Sequence, residues 1–226
     1  MSATKPAVFV RVEGVLTSQG ASSAAAYMAA NAAGLRERFV RLGHLALTTP
    51  LYEVLGQSDR VLANRLTYLA LRDMSEDRIA ELADEYWRNV LQRRVLNAGV
   101  DLLRRARSEG LQIVLLADGI EQVLSPLLEQ LEHTGAKLVC NKLEFRNGRA
   151  TGKLFEPVIG GHDGGRFLTR YAQEHSIDLA ASTAYGAHGP DVLLMTAVGR
   201  PCAVNPDFTL RRAARDAGWP VMDFHV

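Results

Sequence analysis

The pattern of apolar and polar positions changes character twice along the chain. Residues 7–12 form a short apolar run rich in β-branched side chains and closed by Glu13-Gly14, which predicts a buried strand entering a tight turn. From about residue 22 to 107 the pattern is helical, Ala-rich at first and then rich in Leu, Val and Arg. Punctuation falls at Gly34, Gly43, Thr49-Pro50 and Gly56-Gln57-Ser58-Asp59. Ser75 followed by Glu76 and Asp77 marks a helix start, with a capping hydroxyl and acids at the positive end of the dipole. After Gly110, strand and helix alternate. Strands are predicted over 112–116, 180–185, 200–204 and 220–224, and helices over 121–132, 165–175, 191–198 and 209–217. Residues 137–145 and 151–155 read as a strand pair around Asn147-Gly148.

One strand, a helical insertion and then repeated β/α units predict a Rossmann-like, doubly wound and mainly parallel sheet with an inserted all-helical cap. The core would be residues 1–17 and 96–226, and the cap 18–95. Composition agrees: 226 residues, 47% hydrophobic and 23% charged, suit one α/β unit with a modest insertion. With 26 basic and 25 acidic residues, there is no net field to attract nucleic acid or an anionic membrane. No run approaches ~18 uninterrupted apolar residues, and the opening Met1-Ser2-Ala3-Thr4-Lys5-Pro6 has no apolar signal core behind it. A cytoplasmic protein without nucleic-acid or membrane partners is expected. Cys140 and Cys202 each lie in an apolar stretch and read as free thiols.

The second half carries a resemblance. Ala184-Tyr185-Gly186-Ala187-His188-Gly189-Pro190-Asp191, then Gly199-Arg200-Pro201, Val204-Asn205-Pro206 and Gly218-Trp219-Pro220 resemble the phosphoserine-phosphatase-like branch of the haloacid dehalogenase superfamily. That branch shows Tyr-Gly-Asp-Ser-x-x-Asp followed by Gly-x-Pro, Val-Asn-Pro and a late Gly-Trp. The resemblance implies Mg²⁺-dependent phosphoryl transfer. A first aspartate attacks phosphorus, a second two residues on acts as acid and base, Ser/Thr and Lys hold phosphoryl oxygens, and further aspartates help hold the metal.

The matching positions depart from that scheme. Arg11-Val12-Glu13-Gly14 stands where Asp-x-Asp-Gly is expected, and an arginine cannot accept a phosphoryl group there. Ala117 falls at the Ser/Thr position, followed by Asp118. Asp163 falls at the Lys position, a reversal of charge. Ala187-His188 replaces Asp-Ser, leaving Asp191.

Arg11, Glu13, Asp118, His162, Asp163, His188 and Asp191 should converge at the carboxyl ends of the strands. Three readings are open: a vestigial cleft of mutually paired charges, a ligand pocket of altered specificity, or repurposed chemistry in which His188 works with Asp191 or Glu13. A metal held by His162, Asp163, His188 and Asp191 is the weaker variant of the last. Arg11 should pair with Glu13, Asp191 or both, because a lone buried charge costs several kcal/mol. Tyr86-Trp87 reads as cap packing, and Arg36, Arg38 and Arg41, with Arg93 and Arg94, as a solvated basic face. The function expected is that of a non-catalytic pseudophosphatase binding a partner protein or a small ligand, with self-association through the cap a further option. The alternatives are a Mg²⁺-dependent phosphomonoester hydrolase or a repurposed enzyme using Glu13, His188 and Asp191. Under the first reading no cofactor or metal is required.

Overall fold

A computed structural model of the chain describes residues 4–55, 59–160 and 164–224, without the side chains of 49–55 and 164. Its centre is strand β1 (Ala7–Arg11), whose five residues are all buried. Alternate side chains serve opposite faces, as the two-residue period of a strand requires. Val8 and Val10 join one apolar cluster and Ala7 and Phe9 the other. Burial on both faces is why the strand reads as an unbroken apolar run.

Between β1 and the next strand lie α1 (Ala21–Ala30), α2 (Leu35–Leu55), α3 (Arg60–Leu69) and α4 (Glu76–Asn89), then a 3₁₀ turn (Leu91–Arg94). Helix α2 runs through Gly43 and Pro50, both expected as breaks. Glycine lowers helix propensity by only about 1 kcal/mol, which packing of one helix face can override. The expected start signal of α4 is present, Ser75 accepting from Arg78 N at 3.3 Å, and α3 starts in the same way, Asp59 accepting from Leu62 N at 2.9 Å. Tyr86 is buried in this cap, its hydroxyl 3.1 Å from Ser23 Oγ. Arg41 does not join a solvated basic face. It is buried and donates to the carbonyls of Ala70 and Arg72, which end α3 and the turn after it.

The chain leaves and re-enters the core side by side. Ser18 N bonds to Arg94 O at 3.0 Å, and Leu96 N to Leu16 O at 2.8 Å. Then follow α5 (Asn97–Ser108), β2 (Gln112–Ile120), α6 (Glu121–Gln130), β3 (Lys137–Asn141), β4 (Leu143–Arg146) and β5 (Arg149–Leu154). The rest is α7 (Gly164–Glu174), β6 (Thr183–Gly186), α8 (Val192–Met195), β7 (Arg200–Val204), α9 (Phe208–Ala217) and β8 (Val221–Met222). Among the described residues one six-stranded sheet has the order β3-β2-β1-β6-β7-β8, and every pairing in it is parallel. Helices α5 and α6 cover one face, and α7, α8 and α9 the other. The doubly wound sheet with a helical cap is thus present, and the strand order turns back at β1.

Two local expectations fail. The apolar run 112–116 continues as strand to Ile120, because residues 117–120 are buried as well. The run 137–145 is not one strand. Lys137–Asn141 pairs in parallel with β2, and Leu143–Arg146 forms an antiparallel hairpin with Arg149–Leu154. Leu143, Ala150 and Leu154 of that hairpin join the apolar cluster of the cap, so the covering layer over the sheet is not helical throughout. Cys140 and Cys202 are free thiols, the second buried. Among the described residues no helix is long and apolar enough to cross a membrane.

Candidate functional site

In an open parallel sheet, ligands bind beyond the carboxyl ends of the strands where the strand order reverses. Here that point is the end of β1, and Arg11 sits on it with 3% of its surface exposed. Its guanidinium is surrounded by carboxylates from three separate segments. Nη2 lies 2.5 Å from Asp118 Oδ2 and 3.4 Å from Glu13 Oε2, and Nε lies 3.1 Å from Asp191 Oδ1. The expected pairing with Glu13 and Asp191 is therefore present, and Asp118 provides a closer contact than either.

Each carboxylate is also held by its own surroundings. Glu13 Oε1 accepts from the backbone N–H of Asp118 at 2.9 Å and of Gly119 at 3.0 Å. Asp191 Oδ2 accepts from the N–H of Ala187 and of His188, both at 2.9 Å. Asp118 receives a second cation from the cap: Arg60 Nη1 lies 2.8 Å from its Oδ2. Asn64 Nδ2 approaches Asp118 Oδ1 at 3.3 Å, and Tyr68 OH donates to the Asp118 carbonyl at 3.3 Å. Asn141 Nδ2 donates to the same carbonyl at 2.8 Å while its Oδ1 accepts from Ile159 N. Gly160, at φ +114°, lets the backbone pass beside Asp118; a Cβ there would stand 2.7 Å from Oδ1.

The protonation tendencies follow from this crowding. Burial alone would lower the pKa of Arg11, but Asp118, Asp191 and Glu13 outweigh it and hold the guanidinium charged. Burial would raise Asp118, yet Arg11, Arg60 and the Asn64 hydrogen bond bring it below its ordinary value. Glu13 is raised, by burial first and by repulsion from Asp118 second, against the opposing pull of Arg11. Two cations thus stand among three carboxylates.

The remaining sequence candidates separate from this cluster. Ala117 is fully buried in the apolar cluster under the sheet, and it is Asp118, one residue on, whose side chain reaches the site. A two-residue strand period turns adjacent side chains to opposite faces. Ala187 is also fully buried, and a Cβ placed on Gly14 (φ +89°) would meet its Cβ at 2.3 Å. His188 turns its ring to Asp207, Nδ1 to Oδ2 at 3.7 Å, while its backbone N–H serves Asp191. His162 and Asp163 lie outside the described residues. Asn205 of the Val-Asn-Pro stretch donates to the Gly14 carbonyl at 3.3 Å and accepts from Phe224 N at 2.7 Å, tying the turn after β1 to the end of the chain.

Arg60, Asn64, Tyr68 and Asn141 are site residues that the sequence reading missed. A signal existed for the first three: positions 60, 64 and 68 follow a four-residue spacing and share one helix face. Beside the cluster opens a cleft of about 180 Å³. Its polar floor includes Arg11 and Asp191; Val61, Leu116, Ile159, Phe167 and Leu194 make apolar walls, and Arg65 pairs with Glu156 at its edge.

The geometry tests the metal that such a fold implies. Mg²⁺ demands near-octahedral oxygen ligands at about 2.0–2.1 Å. The point on which Glu13, Asp118 and Asp191 converge is taken by a guanidinium hydrogen-bonded to Asp118. These residues do not fit the metal.

Comparison with known proteins agrees with the fold. The model of the haloacid dehalogenase-like hydrolase family matches residues 14–196, and the chain belongs to that family. It is 28% identical over 156 residues to an inhibition of morphological differentiation protein of Streptomyces azureus, covering 68% of this chain and 55% of that protein. It is 26% identical over 178 residues to a phosphoserine phosphatase of Mycobacterium tuberculosis, covering 77% of this chain and 57% of that protein. The chain thus spans little more than half the length of these curated relatives. Among solved structures, a protein of unknown function from Bordetella pertussis Tohama I superposes with a TM-score of 0.82 at 22% identity, covering 99% of this chain and 100% of that chain. A substrate-bound phosphoserine phosphatase gives 0.71 at 14% identity, covering 98% of this chain and 94% of that chain.

Proposed function

We propose that this chain is a non-hydrolysing member of its family, a pseudophosphatase that takes a small ligand into the cleft beside Arg11. The single observation behind this reading is the Arg11 guanidinium on three carboxylates at the end of β1. A guanidinium stays protonated and offers no lone pair to phosphorus, so the covalent aspartyl route has no acceptor. An incoming phosphate would also meet Asp118 and Asp191 while the nearest cations are already engaged by them. The apolar walls favour a ligand that is small and largely non-polar, with few polar groups for the floor.

The expected result is no Mg²⁺-dependent release of phosphate from p-nitrophenyl phosphate or phosphoserine above background. A second reading, phosphomonoester hydrolysis, is favoured by the printed names of relatives such as the M. tuberculosis phosphoserine phosphatase. In it Glu13 would be the carboxylate still offered just after β1. Turnover by the purified chain that disappears in Glu13→Gln would establish that reading and overturn ours.

A further inference from the structure

The cap presents a helix face that nothing among the described residues covers. Helix α2 packs inward through Arg41 and Leu45, both buried, the latter against Ala25, Ala29 and Ala70. Its outward side is apolar to an unusual degree. Leu35, Phe39 and Leu47 are 73%, 76% and 75% exposed, and Val40 is 66% exposed. At 3.6 residues per turn, Leu35, Phe39, Gly43 and Leu47 follow one another along a single stripe. Among residues 35–48 of the helix, Arg36 is the one charged residue that falls within the same arc. Gly43 lies in the middle of this stripe, and a Cβ built on it would meet nothing within 4 Å.

We infer that this face is where a second copy of the chain docks, through antiparallel packing of α2 on α2 about a twofold axis at Gly43. The geometry is self-complementary. A twofold axis at position 43 sets Phe39 of one copy against Leu47 of the other, and repeats the contact on the far side, so each exposed ring meets an exposed apolar partner. Gly43 at the crossing leaves a notch that lets the two backbones approach. Such an isologous contact is the common route to a homodimer.

The exposure is contiguous rather than scattered. Four large apolar side chains, each about two-thirds or more exposed, share one side of a single helix, and a contiguous exposed apolar patch is what marks an interaction site. A membrane surface is the less fitting occupant. Interfacial helices carry a strongly basic polar face, whereas Arg36 is followed by Glu37 here and the whole chain carries a net charge of only +1. The inference concerns the outer cap and stands apart from the reading of the cleft.

The test is sedimentation velocity on the full chain across a dilution series, with Phe39→Glu and Leu47→Glu alongside. Both substitutions are at exposed positions, so circular dichroism should show both variants folded. The wild type should be a dimer, and each variant should raise its dissociation constant roughly thirtyfold or more, the effect of losing a central anchor. Gly43→Cys should give a disulfide-linked dimer on mild oxidation, while the wild type, with its native thiols, should not. A wild type that is monomeric throughout, or a dimer indifferent to both glutamates, would overturn the inference. Monomeric wild type that floats with anionic vesicles would identify a membrane as the occupant instead.

Discussion

Arg11 is the residue on which the candidate site turns. A guanidinium removed from water is tolerated only where carboxylates replace its hydration, and three do so within 3.4 Å. Removing one partner of a buried ion pair costs more than the pair itself contributes, because the charges left behind are uncompensated. Arg11→Ala should therefore destabilise the fold by about 3–5 kcal/mol in denaturant unfolding at neutral pH. The loss should depend on pH in a defined direction. Without the cation, Glu13 loses the attraction that opposes burial and repulsion from Asp118, so its folded pKa rises further above the unfolded one. Stability of the variant then falls as pH rises through that folded value. Its deficit against wild type should be larger at pH 8 than at pH 4. An equal deficit at both would mean that Arg11 acts by packing alone.

At the scale of elements, Asp207 shows how one carboxylate joins two of them. It is the N-cap of α9, accepting from Leu210 N at 2.8 Å, and its other oxygen accepts from Gly189 N at 2.9 Å in the loop after β6. Burial would raise its pKa, but the bonds from His188 and from those two N–H groups outweigh burial and hold it at about 2, below its ordinary 3.8. A carboxylate with a depressed folded pKa contributes stability above its unfolded pKa and loses it as pH falls through the folded value. Wild type should therefore lose this contribution between about pH 4 and pH 2. Asp207→Asn keeps a capping side chain without its charge. Its unfolding midpoint should vary less with pH across that window, and parallel curves for the two proteins would count against this role.

For the molecule as a whole, the same site joins cap to core. Arg60, Asn64 and Tyr68, one face of α3, all reach Asp118, and Asn64 also bonds Ile159 O at 2.9 Å. The cap cannot lift from the sheet without exchanging these buried bonds for water. Hydrogen bonds to charged groups contribute about 1.5–3 kcal/mol each. Arg60→Ala and Asn64→Ala should thus speed hydrogen exchange in α3 and in the neck around Ser18 and Leu96, leaving β1, β6 and β7 protected. Equal acceleration in the core strands would show global destabilisation rather than release of the cap.

Local patterning was enough to read the architecture. The β-branched run 7–12, the long helical insertion and the later β/α rhythm each report burial period, and period is a local property of the chain. The arginine that stands where the family pattern has its first aspartate was equally legible, since it needs only the identity of residue 11. Contacts between distant segments were not legible. Arg60, Asn64 and Tyr68 lie 58, 54 and 50 residues before Asp118, and a helix pattern states which face is buried but not against what. The same gap left Asp118 in the expected cluster without the cap residues that hold it, and joined 137–141 to the hairpin that follows. Periodicity fixes which side chains leave water together; only the packing of β1, β2 and the cap decides that the cation left by Arg11 is answered by Asp118.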